Sequence, residues 1–454
     1  MDRPVCRCLT LNNCSQPGSE FMNVPTHLSQ WSQRSSDQAI GYLMQQAVEN
    51  PGCISLAAGL VDERSLPASL VRDAVDELLA DDDAGRRLLQ YGTTQGPEPL
   101  RRVYRNYLAE LEGRTDSLAD LPLSRLMLTT GSQQLLSLVV QALFDPGDIC
   151  LAAAPTYFVF LGVLQAAGAE VIPIEADSDG MRPQALQATL ERLAAEGRLG
   201  RVRLIYVVSD FENPSGVSVS AERRSELLKL AESWSRESRI YLLEDAAYRE
   251  LRFEGAAPPS IWSLDHGGKT VILAQTFSKS FSPGIRVGLG VLPEMLIKPV
   301  SDLKGNEDFG SAHLNQHIVA RVLRNGSYRH HVESVVASYR SKRDAMLRAI
   351  DREFAGLHGV TWVRPAGGMY VWMRLPPMIQ TGFDSPLFQQ ATKVDRVMYV
   401  PGELCYPVSW RDRPRCEMRL SFGVQSEAGI EEGIRRLASA VRAVIRQISG
   451  ITAE

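Results

Sequence analysis

Between residues 126 and 293 the chain alternates short apolar runs with longer stretches patterned at helical spacing. Seven runs read as strands, over 125–129, 149–152, 170–174, 204–208, 240–244, 270–274 and 287–291. Several are continuously apolar rather than alternating, as expected of strands covered on both faces. Helical patterns such as 133–143 and 221–235 lie between them. This repetition predicts an α/β fold, a mostly parallel seven-stranded sheet sandwiched by helices. The last third changes character. Segments 332–353 and 426–448 read as long amphipathic helices. The second has Ser426 as its N-cap and Ile430, Ile434, Leu437, Val441, Ile445 and Ile448 along one face. Between them, 360–363, 369–373 and 418–422 read as short strands, so a smaller α+β unit follows the parallel-sheet domain.

Composition narrows the function. Of 454 residues, 44% are hydrophobic and 22% charged, which is globular composition and not that of a disordered chain. Lysine and arginine total 49 against 53 acidic residues, and no basic stripe stands out, which argues against nucleic-acid binding by charge. No apolar run approaches the roughly 20 residues of a spanning helix, so neither a membrane nor nucleic acid is an expected partner. Seven cysteines, three of them at Cys6, Cys8 and Cys14, form neither a disulfide framework nor a zinc spacing. His313 and His317 share a helical face with Leu314 and Ile318, a packed-helix pattern, so no metal is expected. Gly18-Ser19-Glu20-Phe21 before Met22 reads as a cloning scar, which sets 1–21 outside the fold. No secretory signal is apparent, and a cytoplasmic protein is expected.

The chemistry concentrates after the strands. Thr276-Phe277-Ser278-Lys279 follows an apolar run, with Arg286 seven residues beyond the lysine. A lysine amine there can form a Schiff base with an aldehyde cofactor, while the hydroxyls and guanidinium hold a phosphate. Glu244-Asp245-Ala246-Ala247-Tyr248 ends another strand. Asp245 suits a protonated pyridine nitrogen or the N-cap of a following helix, and Tyr248 suits a ring oxygen. Asn213-Pro214 marks a turn that either contacts the same oxygen or is an ordinary turn. Thr130-Gly131-Ser132-Gln133 joins strand to helix, where backbone N–H groups cradle anions. Pro155-Thr156-Tyr157 offers an aromatic ring to a flat cofactor. All would sit at the C-terminal ends of parallel strands, where open α/β sheets bind ligands.

Tyr91-Gly92, Thr130-Gly131-Ser132, Pro155-Thr156-Tyr157, Asn213-Pro214, Asp245 to Tyr248, Ser278-Lys279, Arg286 and Arg419 occur in one order along the chain. In these the sequence resembles the fold-type I pyridoxal-phosphate enzymes. Among them it is similar to the class I/II aminotransferases, closest to the 2-aminoadipate and kynurenine aminotransferase branch, over roughly residues 30–450. The resemblance implies an amino-acid transaminase using pyridoxal 5'-phosphate and 2-oxoglutarate in a ping-pong cycle. It implies that Lys279 carries the cofactor and shuttles the proton, that Asp245 pairs with the pyridine nitrogen, and that Asn213 and Tyr248 contact the ring oxygen. Ser132, Thr276, Ser278, Arg286 and the backbone at Gly131 and Gln133 would bind phosphate, with Tyr157 stacked on the ring. Arg419 would clamp the substrate carboxylate, with Asn213 also at the substrate, and Gly59 would line the entrance. Tyr91 would reach the phosphate of a second subunit, which implies a homodimer. The expected organisation is 22–80 as an N-terminal segment serving the small domain and the entrance, 81–325 as the large cofactor domain and 326–454 as the small domain.

The sequence departs from the branch in places. Ser35 to Gly41 lack the basic residue that reads acidic side chains in aminoadipate-type members. Ala58-Gly59-Leu60-Val61 replaces the commoner Gly-Gly-Leu-Pro, and Glu212 stands where an uncharged residue is usual. Aromatic, aliphatic or unusual donors are therefore open. A β-lyase or an oxidative deamination on the same site is the alternative reaction. A transcriptional regulator with an aminotransferase-like effector domain would need a DNA-binding domain ahead of residue 30, and that region is short and not basic.

Overall fold

The computed structural model describes residues 27–35, 41, 50, 52–116 and 118–448. The 1–21 segment, its cysteines and most of the Ser35–Gly41 stretch lie outside the described residues. The strands are β1 (Ile54–Ser55), β2 (Leu126–Thr129), β3 (Ile149–Ala154), β4 (Glu170–Asp177), β5 (Gly180–Met181), β6 (Val202–Val208) and β7 (Tyr241–Asp245). After them come β8 (Val271–Thr276), β9 (Gly288–Val291), β10 (Thr361–Trp362), β11 (Tyr370–Arg374), β12 (Val397–Met398), β13 (Val400–Pro401) and β14 (Glu417–Ser421).

The large sheet has the order β2-β9-β8-β7-β6-β3-β4-β5. Strands β8, β7, β6, β3 and β4 run parallel, while β9 is antiparallel to both of its neighbours. All seven expected strands are present. The sheet nevertheless has eight, because two-residue β5 folds back on the end of β4. A strand of that length carries no readable period. Ile205, Leu242, Leu243 and Ile272 are fully buried, and each such side chain contributes roughly 1.5–3 kcal/mol. Strands covered on both faces by helices explain the continuous apolar runs.

The smaller sheet has the order β10-β11-β14-β13, all antiparallel. Beside it β1 pairs in parallel with β12, which brings the start of the N-terminal segment to this unit. The Ala68–Leu78 helix, by contrast, packs on His313–Arg324 of the large body. The Ser327–Phe354 helix starts five residues before its expected onset, because Gly326 at φ 79° breaks the preceding helix. Its Tyr328 is buried against Tyr107 and Phe277 of the large body, while the helix also packs on Glu427–Ile448, so one helix spans both units. At Glu427–Ile448 the Gly429 N–H donates to Ser426 Oγ at 3.1 Å, the expected cap.

Candidate active site

The junctions after β2, β3, β6, β7 and β8 carry the candidate residues, and β9 locks two of them, after β2 and β8, by register. Gly288 pairs with Thr129 on one side and with Thr276 on the other. That places the turn after β2, the end of β8 and the Arg286 segment side by side. The Ser132–Leu143 helix starts at Gly131, φ 73°, with no side chain capping its N–H groups. Thr276 and Ser278 are buried with their hydroxyls 2.9 Å apart. Arg286 is held by the carbonyls of Thr130 (3.1 Å) and Pro283 (3.2 Å). A Cβ on Gly131 would come within 3.0 Å of the Arg286 guanidinium. Hydroxyls, an arginine and a free helix start around a glycine make an anion cradle. Below it, fully buried Lys304 donates to Gln134, Asp308 and Ser311, and Thr130 joins the same network.

This cradle depends on Gly288, whose Cβ would stand 2.6 Å from the Gly131 carbonyl carbon and 2.7 Å from Ser132 N. Overpacking of this kind costs about 1–3 kcal/mol. Gly288→Ala is therefore expected to weaken cofactor phosphate binding about tenfold to a hundredfold, which titration of the apoprotein with the cofactor would read.

Lys279 follows β8 on a turn closed by Phe281 and Ser282 N–H groups to the Phe277 carbonyl. Its Nζ donates to the Gly59 carbonyl at 2.9 Å, and among the described residues no carboxylate bonds to it. The next residue, Ser280, pairs its hydroxyl with Tyr328 at 2.8 Å, anchoring the turn to the large core.

Asp245 ends β7, buried. One oxygen accepts from the Tyr206 hydroxyl at 3.0 Å and the other from the Ala247 N–H at 3.2 Å. Burial pushes its carboxyl up to about 6, while Tyr206 and Ala247 pull the other way and Glu244 adds to the rise. An acid so placed gains from a cationic partner. Beneath it, fully buried Arg224 pairs with Asp210 at 3.0 Å and donates to the carbonyls of Ser209, Val219 and Pro259, which fixes the loop after β6.

That loop presents Asn213. Arg419, on β14, donates to Asn213 Oδ1 at 2.8 Å and to the Ala57 carbonyl at 2.6 Å, while its buried Nε has no partner among the described residues. The guanidinium lies 4.4 Å from the centre of the Tyr370 ring and 5.8 Å from that of Phe158. Tyr248 bonds hydroxyl to hydroxyl with Tyr370 at 3.2 Å. Tyr157 stands among Asp245, Tyr370, Arg419 and Arg286. Burial, then Asp245, raises its phenol above the ordinary range.

The structure thus gathers Lys279, Asp245, Tyr248, Asn213, Tyr157, Arg419, Gly59, Gly131, Ser132, Gln133, Thr276, Ser278 and Arg286 around one cleft. Tyr91 is not gathered. It is 81% exposed, beside the exposed Phe309. Asp245 makes the cap-like contact with Ala247 through one oxygen and keeps the other on Tyr206, so capping alone does not account for its carboxylate. Sequence reasoning missed Tyr370, Tyr206, Arg224 and Lys304. Tyr370 sits in an apolar strand run. The one signal in sequence was a hydroxyl-bearing ring, in both Tyr206 and Tyr370, inside a segment otherwise buried and apolar.

The site combines an anion cradle, a buried carboxylate and a lysine. This donor set fits a phosphorylated pyridine aldehyde. A family model described as aminotransferase class I and II matches residues 51–437. The chain is 34% identical over 397 residues to the aromatic-amino-acid aminotransferase 1 of Thermococcus litoralis, covering 87% of this chain and 89% of that protein. It superposes on the kynurenine aminotransferase of Pyrococcus horikoshii, solved with PMP, KYN and KYA, at TM-score 0.83 and 32% identity, over 92% of this chain and 97% of the other. The alpha-aminoadipate aminotransferase LysN of Thermus thermophilus, complexed with N-(5'-phosphopyridoxyl)-L-leucine, gives TM-score 0.79 and 30% identity, covering 92% and 98%. Among the described residues no helix is long and apolar enough to cross a membrane.

Proposed function

The chain belongs to the aminotransferase class I and II family, and from that premise we propose that it moves the amino group of an L-amino acid to 2-oxoglutarate in a ping-pong cycle through Lys279. It is a pyridoxal-phosphate enzyme. The observation that carries the finer reading is the convergence of Lys279, Asp245 and Arg419 on one cleft beside an anion cradle.

When bound, the cofactor supplies an electron sink for charge released at the substrate Cα. The chain's residues do the rest. Ser132, Thr276, Ser278, Arg286 and the backbone at Gly131 and Gln133 hold the phosphate. Tyr157 covers the ring, Asn213 and Tyr248 orient its oxygen, and Asp245 keeps its nitrogen protonated. Arg419 binds the substrate carboxylate as a fork, with Gly59 at the entrance. That would fix the Cα–H toward Lys279, whose Nζ would take up the proton. Tyr370 supports both Arg419, through its ring, and Tyr248, through its hydroxyl.

The aromatic surface against Arg419 favours an aromatic or apolar donor, in keeping with the aromatic-amino-acid aminotransferase among its relatives. Tyr91 and Phe309, exposed side by side, suit a homodimer in which Tyr91 completes the partner's phosphate site. The free cysteines Cys150 and Cys405, buried in the described residues, suit the cytoplasm. Initial rates with an aromatic donor at several fixed 2-oxoglutarate concentrations should give parallel double-reciprocal lines. Intersecting lines, or activity that needs no acceptor and releases ammonia, would replace this reading by deamination or side-chain elimination.

A further inference from the structure

Glu212 precedes Asn213 and is 5% exposed. Its carboxyl meets the Ser215 hydroxyl at 2.7 Å and the Thr156 hydroxyl at 3.3 Å. No cation among the described residues pairs with it. The cations nearby are committed elsewhere. Arg224 and Arg252 hold Asp210 at 3.0 and 2.7 Å, and Arg419 holds Asn213 and Ala57. The other titratable groups facing it are the Tyr206 phenol from β6 and the Cys405 thiol from the Gly402–Cys405 turn. Neither carries positive charge.

The two hydroxyls belong to different parts of the cleft. Thr156 is fixed by its N–H to the Cys405 carbonyl at 2.8 Å and leads directly into Tyr157. Ser215 lies in the turn closed by Gly216 N–H to the Glu212 carbonyl (2.7 Å) and Glu212 N–H to the Val217 carbonyl (2.8 Å). Asn213 is in this turn. An ionised carboxylate here accepts from two hydroxyls and is otherwise an unpaired charge in a dry space. A neutral carboxylic acid donates to one hydroxyl and accepts from the other, satisfying both.

We propose that Glu212 is a positioning residue, a neutral acid at working pH that ties the Tyr157 turn to the Asn213 turn and so sets Arg419 for the substrate. The part played by Arg419 rests on the transaminase reading; the neutrality of Glu212 does not. Burial pushes the carboxyl up to about 8, against the pull of Ser215 and Thr156. The folded value lies above the unfolded one. Its stabilising contribution is therefore complete below the ordinary carboxylate range and is lost as pH rises through about 8.

The test compares wild type with Glu212→Gln, a neutral isostere, and Glu212→Ala, each loaded with pyridoxal phosphate. At pH 7 the Gln variant should keep donor kcat/KM within about twofold, while the Ala variant loses activity at every pH. By pH 9 about a tenth of a group titrating near 8 stays neutral, so wild type should fall about tenfold relative to Gln, chiefly through donor KM. In the apoproteins, wild-type Tm should drop relative to Gln between pH 6 and 9. The wild-type-minus-Gln infrared difference should contain a protonated carboxyl band at pH 6 that is gone at pH 10. Parallel Tm profiles, or no such band, would overturn the proposal, as would a Gln variant impaired at pH 7 with an unshifted profile. The Tm and infrared readings need no turnover, so a failure of the transaminase reading leaves them intact.

Discussion

Replacing Lys279 by alanine should lower kcat/KM on the order of 10⁵-fold or more, with the fold and the phosphate site preserved. The lysine occupies the turn after β8 without supporting it. The turn is closed by backbone bonds at Phe277 and by Ser280 to Tyr328, and among the described residues the Lys279 side chain bonds only to the Gly59 carbonyl. Removing it leaves Thr276, Ser278, Arg286 and the helix start at Gly131 untouched. The variant should still bind the cofactor phosphate but lack both the amine that holds the aldehyde and the base beside the substrate Cα. Circular dichroism, cofactor titration and turnover together check this. A variant that keeps more than about one per cent of wild-type kcat/KM would show that another group moves the proton.

Asp245→Asn should reduce kcat about 10³- to 10⁴-fold with a small change in donor KM. An asparagine can still accept from the Ala247 N–H through its carbonyl oxygen while its amide donates to the Tyr206 hydroxyl oxygen, so the substitution removes charge more than geometry. On the proposed reading, what is lost is the partner that keeps a ring nitrogen protonated. A second consequence concerns stability. The folded carboxyl titrates near 6, above its unfolded value of 3.8. The apoprotein's contribution from this group is thus complete below about 4 and lost as pH rises through 6, a penalty on the order of 3 kcal/mol for a fully buried group. On the same reading, cofactor binding would supply the missing cation. Apoprotein Tm should therefore fall between pH 4 and 7 in wild type and less so in Asp245→Asn, and the loaded wild type should lose that dependence. Identical apo and loaded profiles would separate Asp245 from the ring nitrogen. The Asp245 loss ends near pH 6 whereas that of Glu212 continues to about 8, so the two variants distinguish the two acids.

Much of this site is legible because its residues sit at ends of strands, and the strands announce themselves. β6, β7 and β8 are covered on both faces, so their apolar runs are long, and the polar segments that follow each run mark the cleft. Lys279, Asp245 and Asn213 are found in this way. β1, β5, β12 and β13 have two residues each, too few for any period to appear. Tyr370 is legible as a strand residue and not as part of the site. Its partners, Tyr248 and Arg419, are brought to it by the packing of the small sheet against the large one, which no local pattern encodes. The Arg224–Asp210 pair escapes for a different reason. Charged residues on a helix and in a loop read as solvated, and only their burial, with three carbonyls around the guanidinium, shows that they brace the floor of the site. Asp245 fits a helix cap as well as a ring-nitrogen partner. What favours the second reading in sequence is that it follows a buried strand and precedes Tyr248 by three residues.

The most direct test is a single half-reaction. The loaded enzyme is mixed with an aromatic amino acid and no acceptor, and 2-oxo acid and ammonia are measured per subunit. Transamination through Lys279 predicts a burst of one 2-oxo acid per site, no ammonia, and then arrest until 2-oxoglutarate is added, when glutamate forms in equal amount. Continued 2-oxo acid formation with ammonia release and no need for an acceptor would contradict the account.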